Sequence, residues 1–258
     1  MQLKTPLYQT LLRIGPFGYE CLRWYRWLVR RGTPRYQSLN PIADYAPWRT
    51  DPTFLETYDT IRPYTLVDIY RCYELWTLVE QSQKLTGSLI EIGVWRGGTG
   101  ALIAQRAKLS GITDTIYLCD TFTGVVKASS HDPLYQGGEH HDTSIGLVED
   151  LVYKQLNLEH VKILPGIFPD ETAKAVDHES FRFCHIDVDV YHSAKDITAW
   201  LWNKLIVGGI IVYDDYGFFG YAGVTTYVDE QRHARDRLVL YNLNGHAVVI
   251  KISQEVSP

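Results

Sequence analysis

The sequence has no run of about 20 apolar residues, the length that a membrane-spanning helix requires, so no transmembrane segment is predicted. It has only four cysteines among 258 residues, widely spaced and without a CxxC pair, which excludes a disulfide-stapled small domain and favours reduced, buried thiols. The opening stretch MQLKTPLYQTLLRIG lacks the apolar core and the small-residue cleavage site of a secretory signal. With 45% hydrophobic and 21% charged residues, we expect a cytoplasmic globular protein.

The first 40 positions contain one acidic residue, Glu20, and seven lysines and arginines. The net charge of the whole chain is nevertheless −5. Arginines and aromatic residues interleave in YECLRWYRWLVRRG, a pattern that would suit an anionic membrane surface or nucleic acid. We favour a helix that docks on the body of the protein or on a second subunit. We therefore expect no nucleic-acid partner, and peripheral membrane contact is left open.

The hydrophobic periodicity changes near residue 86. Apolar residues in 1–85 recur at helical spacing between Pro-bearing loops, which predicts an N-terminal helical cap. From 86 to 258, short apolar runs alternate with helical segments, which is typical of βαβ units and a parallel sheet. The predicted strands are SLIEIGV, TIYLCD, VKILPG, FRFCHIDV, GGIIVYDD, LVLYNL and HAVVIKI. Asn244-Gly245 between the last two predicts a hairpin, so the α/β sheet is expected to close with an antiparallel strand.

Ligands of open α/β sheets bind beyond the carboxyl ends of the strands. After the first predicted strand, Gly93 and Gly97 allow a tight turn into a helix whose N-terminus is open to a ligand. Asp120 ends the second strand, where an acidic residue can accept the hydroxyls of a ribose. The pattern GxxxGG differs from the GxGxxG of dinucleotide enzymes and favours a cofactor with a ribose but no phosphate. Gly166 and Ile167 after the third strand would line an adenine ring or simply anchor the next helix.

Aspartates follow two further strands, in HIDVDVYH and YDDYG. If these strands are neighbours, Asp187, Asp214 and Asp215 meet at one edge, where three carboxylates repel unless a cation neutralises them. Oxygen ligands alone select a hard cation, Mg²⁺ first, with Ca²⁺ and Mn²⁺ as alternatives. Asp189 or His192 would then serve as the general base. The other interpretation is that some of these aspartates only cap the helices that follow.

Together, EIGVWRGGTG, CDTFTG, HIDVDVY and GGIIVYDDYG resemble the macrocin-type O-methyltransferases, a family of Mg²⁺-dependent enzymes that methylate sugar or aromatic hydroxyls of natural products. The resemblance covers roughly residues 60 to 250. It implies a Rossmann-like class I methyltransferase fold with seven strands, the last one antiparallel. It also implies S-adenosylmethionine and Mg²⁺ as cofactors, and a small-molecule acceptor that carries a hydroxyl, expected to be a sugar or another vicinal diol. Since members of the family often assemble into oligomers, the resemblance implies a homo-oligomer as well.

Site roles are implied by the resemblance position by position. The cofactor contacts are expected at Glu91, Gly93, Gly97, Asp120, Gly166, Ile167 and Asp187, the metal ligands at Asp187, Asp214 and Asp215, and the base at Asp189. Some members of the family have a histidine three residues after the first metal aspartate. This chain has Val190 there, which favours Asp189 as the base.

Two other functions use some of the same residues. A metal-dependent glycosyltransferase also carries a DxD motif after a strand, but the glycine turn, Asp120 and the Asp214-Asp215 pair would then have no role. A non-catalytic scaffold with this fold would be expected to have lost some of the carboxylates, and none is missing.

Overall fold

The structure, a computed structural model, describes residues 43–254 together with Arg35, Tyr36 and Leu39. The basic aromatic stretch predicted to dock as a helix lies outside the described residues. By internal contacts the chain divides into two compact units, Met1–Tyr45 and Ala46–Pro258. The cap predicted for residues 1–85 stays a prediction. Among the described residues, no helix combines the length and the apolar character needed to cross a membrane.

A seven-stranded sheet forms the centre of the second unit, with the strand order β3-β2-β1-β4-β5-β7-β6. The strands are β1 Ser88–Ile92, β2 Ile116–Asp120, β3 Val161–Pro165, β4 Phe181–Ile186, β5 Leu205–Tyr213, β6 Arg237–Tyr241 and β7 Ala247–Lys251. Neighbours among β1 to β5 run parallel, whereas β7 is antiparallel to both β5 and β6. The predicted α/β fold, a mostly parallel Rossmann-like sheet with an antiparallel last strand, is confirmed.

Helices cover both faces of this sheet. They are α1 Pro52–Ile61, α2 Ile69–Ser82, α3 Gly98–Leu109, α4 Ile145–Glu149, α5 Tyr191–Trp202 and α6 Ala222–Gln231. A π-helical turn, Asp150–Gln155, continues α4. Aspartate side chains cap the N-termini of two of these helices. Asp51 accepts a hydrogen bond from the amide of Phe54 in α1, and Asp68 accepts hydrogen bonds from the first amides of α2.

The core lies in two layers because successive strand residues point to opposite faces of the sheet. Leu89 packs in the layer that contains α1, α2 and α3, whereas Ile90 packs in the layer that contains α5 and α6. Because helices cover both faces of the sheet, the strand sequences are nearly continuous apolar runs. Cys72, Cys119 and Cys184 are free and buried, as predicted. Buried polar residues interrupt the apolar pattern at several positions, and two of them, Glu91 on β1 and His185 on β4, are 0% exposed.

The predicted hairpin is present, with a longer turn than the Asn-Gly pair alone implies. β6 ends at Tyr241 and its partner in β7 is Ala247, so residues 242–246 form the connection. Gly245 has a φ of 106°, and a Cβ atom on it would overlap the ring of Phe218. The glycine is therefore required both by the left-handed backbone and by the close aromatic neighbour.

Candidate functional site

The glycine turn after β1 lies against the end of β4. Gly93 has a φ of 88°, and a Cβ atom there would overlap the main-chain oxygen of Asp187. Gly97 has a φ of 91° and is the N-cap of α3, which has no side-chain cap. The amides at the start of this helix are thus left open at the carboxyl edge of the sheet, as the sequence predicted for a ligand.

Asp120 fixes the glycine turn to the end of β2. Its Oδ2 accepts hydrogen bonds of 2.7 Å from the amides of both Val94 and Trp95, and its Oδ1 accepts one of 2.6 Å from the amide of Phe122. A carboxylate offers about four acceptor positions. Asp120 therefore organises the turn first, and one acceptor position remains for a ribose hydroxyl.

The loop after β3 lies beside Asp120. The amide of Gly166 donates to the main-chain oxygen of Asp120 at 2.8 Å, and the half-buried Ile167 follows it. Phe168 is turned into the core, where its ring meets Trp200 edge to face at 5.0 Å. Gly166 and Ile167 can thus border the cofactor region, whereas Phe168 supports the loop from inside.

Glu91 lies below this surface. It is 0% exposed, and its Oε1 is 2.8 Å from Nδ1 of His185 on the neighbouring strand. A Cβ atom on Gly100 of α3 would overlap Oε2 of Glu91, so the helix sits directly over the carboxylate. The structure therefore differs from the predicted cofactor contact, because Glu91 is enclosed by the helix and the adjacent strand.

Three aspartates form an outer carboxylate cluster, which consists of Asp187, Asp189 and Asp215. One oxygen from each lies within 4.8 Å of the others. Asp187 directly follows β4, and Asp215 follows β5 by two residues. Asp189 and Asp215 have φ values of 64° and 62°, a left-handed conformation that is uncommon for residues other than glycine. Such strained backbone persists where the surrounding structure holds it and is concentrated at functional sites.

The electrostatics of the outer carboxylate cluster favour a cation. Burial, reinforced by the charges of Asp214 and Asp189, raises the pKa of Asp187 well above its ordinary value. Burial and the neighbouring carboxylates likewise raise the pKa of Asp215. Close, partly desolvated carboxylates resist ionisation unless a positive charge neutralises them, and oxygen-only donors suit a hard cation.

Asp214 lies on the other side of the chain. The guanidinium of Arg71 donates a hydrogen bond to its Oδ1, and Nε2 of His246 is 3.4 Å from the same oxygen. Burial would raise the pKa of Asp214, but the charges of Arg71 and His246 outweigh it and lower the pKa. The predicted ligand set of Asp187, Asp214 and Asp215 thus requires a correction, because Asp215 lies in the outer carboxylate cluster whereas the carboxylate of Asp214 is paired with Arg71.

One contact to this site has no counterpart in the sequence reasoning. Tyr135, in the long loop after β2, donates a 2.5 Å hydrogen bond to Oδ1 of Asp189. Burial and the charge of Asp189 raise the pKa of Tyr135, so its phenol stays protonated and donates. In the sequence, the length and polarity of this loop are the signals that it could reach a functional site.

Comparison with known proteins identifies relatives of this arrangement. The family model described as Macrocin-O-methyltransferase (TylF) matches residues 60–244. A demethyldecarbamoylnovobiocin O-methyltransferase of Streptomyces niveus is 28% identical over 166 residues, which is 59% of this chain and 62% of the relative. An 8-demethyl-8-(2,3-dimethoxy-alpha-L-rhamnosyl)-tetracenomycin-C 4'-O-methyltransferase of Streptomyces olivaceus is 31% identical over 167 residues, with coverages of 59% and 62%. The chain thus spans about three fifths of the length of these curated relatives.

The fold has a solved counterpart in the O-methyltransferase NovP. The two structures superpose with a TM-score of 0.64 at 24% sequence identity, over 74% of this chain and 83% of NovP. At this identity the likeness supports the fold.

Proposed function

The chain belongs to the macrocin O-methyltransferase family, and on that premise we propose that it is an S-adenosylmethionine-dependent O-methyltransferase. The acceptor is a hydroxyl of a small molecule, most naturally one of a vicinal diol on a sugar of a glycosylated natural product. The observation that carries the proposal is the close approach of Gly93 to the backbone of Asp187. This contact places the glycine turn after β1, which suits the cofactor, directly beside the outer carboxylate cluster, which suits a cation and an acceptor.

The cofactor region fits a nucleoside without phosphates. The remaining acceptor position of Asp120 would bind a ribose hydroxyl, and Gly166 with Ile167 would border the base. Gly93 and Gly97 provide the open turn through their left-handed backbones. When bound, S-adenosylmethionine would supply the methyl group on its positively charged sulfur.

The outer carboxylate cluster fits a hard cation. Mg²⁺ binds oxygen ligands, retains several waters and commonly uses only one or two protein carboxylates. We assign those to Asp187 and Asp215, which are common to the sequence prediction and to the observed cluster. A bound Mg²⁺ would lower the pKa of the acceptor hydroxyl and orient two neighbouring oxygens.

Asp189 is the proposed general base. Its carboxylate would take the acceptor proton as the oxygen attacks the methyl group. Tyr135 donates to Oδ1 and fixes the orientation of this carboxylate, while burial raises its pKa and so strengthens it as a base. Asp187 and Asp215 hold the cation beside it, and the loop that carries Tyr135 helps to keep water from the reacting oxygen.

The acceptor class rests on the relatives. The name of the Streptomyces olivaceus relative includes a rhamnosyl group on its substrate, which supports a sugar hydroxyl as the acceptor of this chain too. A cytoplasmic location, a homo-oligomeric assembly and peripheral membrane contact through the N-terminal segment remain separate proposals.

The first experiment is calorimetric titration of the full chain with S-adenosylmethionine and S-adenosylhomocysteine. We expect binding of both, and loss of both in Asp120→Ala, with Asp150→Ala as the control because its carboxylate lies at the surface of the turn after α4. Thermal melting of each variant separates loss of binding from loss of folding. The glycosyltransferase alternative requires two results. The unmodified protein would bind neither compound, and it would bind a nucleotide-sugar in the presence of Mg²⁺.

A further inference from the structure

Exposed apolar side chains surround the loop between β5 and α6. This loop, residues 216–221, directly follows Asp215 of the outer carboxylate cluster. Five large side chains in or beside the loop are between 38% and 56% exposed, and we call them the apolar rim: Tyr70, Leu134, Phe219, Tyr241 and Leu243. The proposed methyl transfer gives no role to these five side chains.

The ring of Phe218, inside the loop, brings two rim residues together. The guanidinium of Arg71 lies over this ring, 4.9 Å from its centroid, and the same ring packs against Gly245 of the hairpin turn. Tyr70 precedes Arg71 at the start of α2, and Leu243 belongs to the same turn as Gly245. The start of α2 and the hairpin turn therefore both border the loop.

Two further rim residues contact the loop directly. The ring of Tyr241, at the end of β6, meets the ring of Tyr216 edge to face at 5.1 Å. A Cβ atom on Gly220 would overlap the side chain of Leu134. Leu134 precedes Tyr135, which donates to Asp189. The apolar rim is therefore one surface built from four segments, and it borders the mouth of the proposed site.

The segments that carry most of the rim have no aspartate, glutamate, lysine or arginine. They are PLYQGG at 133–138, YGFFGY at 216–221 and YNLNGH at 241–246, although 21% of the whole chain is charged. A surface without charges can enter an apolar phase without the cost of desolvating an ion. Contiguous exposed apolar patches of this kind mark sites that bind proteins or membranes.

The chain enters the second unit beside the apolar rim. Trp48, two residues after the start of this unit, packs edge to face on Tyr70 at 5.1 Å. The first 40 positions carry the basic excess and the stretch YECLRWYRWLVRRG, in which arginines alternate with Trp, Tyr, Leu and Val. Such a composition is typical of segments that bind anionic membrane surfaces. An anionic bilayer would use both the rim and this stretch, whereas a second copy of the chain, with a net charge of −5, would use the rim alone.

We propose that the apolar rim docks on an anionic lipid bilayer and that the basic stretch supplies the electrostatic attraction. The rim side chains would lie at the level of the headgroups, where tyrosine, phenylalanine and leucine are favoured. The membrane contact left open for the N-terminal stretch is thereby extended to a surface of the folded unit. The mouth of the outer carboxylate cluster would face the membrane, and the docking does not depend on methyl transfer.

The test is sedimentation of the full-length protein with vesicles of phosphatidylcholine, alone or mixed with phosphatidylglycerol. We expect binding to the mixed vesicles only. The double variant Arg30→Gln, Arg31→Gln should weaken this binding about 10-fold or more, because each basic residue near an anionic surface contributes to the attraction. High salt should weaken it as well, since salt screens exposed charges.

Leu243→Asn tests the rim itself. It should weaken binding to the mixed vesicles about 10-fold, the effect of losing one buried leucine side chain. Asparagine tolerates the left-handed backbone of this position, where φ is 65°. Leu109→Asn is the matched control, because Leu109 is 47% exposed and ends α3, at the opposite edge of the sheet from the site.

Three results would overturn the proposal: no sedimentation with the mixed vesicles, binding unaffected by Leu243→Asn, or equal weakening by Leu109→Asn. If the vesicles do not bind and an oligomer dissociates in Leu243→Asn, as measured by analytical ultracentrifugation, the rim is an interface with a second copy instead. Circular dichroism and melting of each variant exclude unfolding as the cause. Titration of Leu243→Asn with S-adenosylmethionine should be unchanged, which separates failure of the membrane proposal from failure of the proposed function.

Discussion

Tyr135 donates a 2.5 Å hydrogen bond to Oδ1 of Asp189 across 54 positions of sequence. The bond connects the long loop after β2 to a left-handed turn after β4. It gives the proposed base a fixed orientation and makes the loop part of the site.

Tyr135→Phe should therefore lower kcat about 10- to 100-fold and leave cofactor affinity unchanged. The expected size follows from the loss of one hydrogen bond to a charged group, about 1.5–3 kcal/mol. Initial rates at saturating S-adenosylmethionine measure the change, and calorimetry measures cofactor binding. Tyr153→Phe is the control, since that phenol donates to the main-chain oxygen of Val161 in β3. An unchanged kcat would show that Tyr135 only closes the loop.

Asp187→Ala and Asp189→Asn should have different defects. Asp187→Ala removes a proposed Mg²⁺ ligand, so Mg²⁺ affinity and turnover should both fall. Asp189→Asn should keep Mg²⁺ and cofactor binding but lower turnover at least about 100-fold, the usual contribution of a general base. Calorimetric Mg²⁺ titration and single-turnover rates check both. Equal loss of Mg²⁺ affinity would make Asp189 a ligand, an outcome that the spacing of the outer carboxylate cluster also allows.

Stabilisation by Mg²⁺ should increase with pH. Burial and neighbouring carboxylates raise the pKa values of Asp187 and Asp215 in the folded protein, whereas an unfolded Asp titrates near about 3.9. The folded state therefore binds more protons above that pH, and these two groups reduce the free energy of unfolding as the pH rises toward their raised pKa values. Mg²⁺ competes with the protons and removes this penalty.

Melting temperatures with EDTA and with Mg²⁺, from about pH 5 to about pH 8, test this linkage. The difference between the two series should widen with pH, and Asp215→Asn should reduce it. A Mg²⁺ effect of the same size at every pH would mean that the ion binds away from these carboxylates.

Gly93→Ala should destabilise the fold and abolish cofactor binding. The added methyl group would overlap the main-chain oxygen of Asp187, so the ends of β1 and β4 would have to separate. Gly111→Ala is the matched control, because Gly111 also has a left-handed φ, 72°, but nothing lies within 4 Å of the added Cβ. The free energy of unfolding of the control should fall by only about 1–2 kcal/mol, the cost of a left-handed backbone at an alanine. Equal losses of stability in the two variants, measured by denaturant unfolding, would contradict the steric argument.

Much of the fold could be predicted from local patterns. The alternation of short apolar runs with helical segments placed the seven strands, and Asn244-Gly245 placed the antiparallel hairpin. The position of Asp120 beside the glycine turn was also predictable, because the carboxyl ends of parallel strands lie at one edge of the sheet. The length of the hairpin turn was not predicted, and in the structure Gly245 of this turn lies against the ring of Phe218, a neighbour that is distant in sequence.

The sequence by itself determined the strands, their mostly parallel arrangement and the edge at which the aspartates gather, because these follow from short-range periodicity and turn chemistry. Only the tertiary structure decided how the aspartates divide. Asp215 joins Asp187 and Asp189, while Asp214 meets Arg71 and His246. The physical reason is that both residues follow the end of β5, where the backbone of Asp215 is left-handed and the alternation of a strand no longer applies. The direction of each carboxylate therefore depends on partners such as Arg71 and His246, which are distant in sequence.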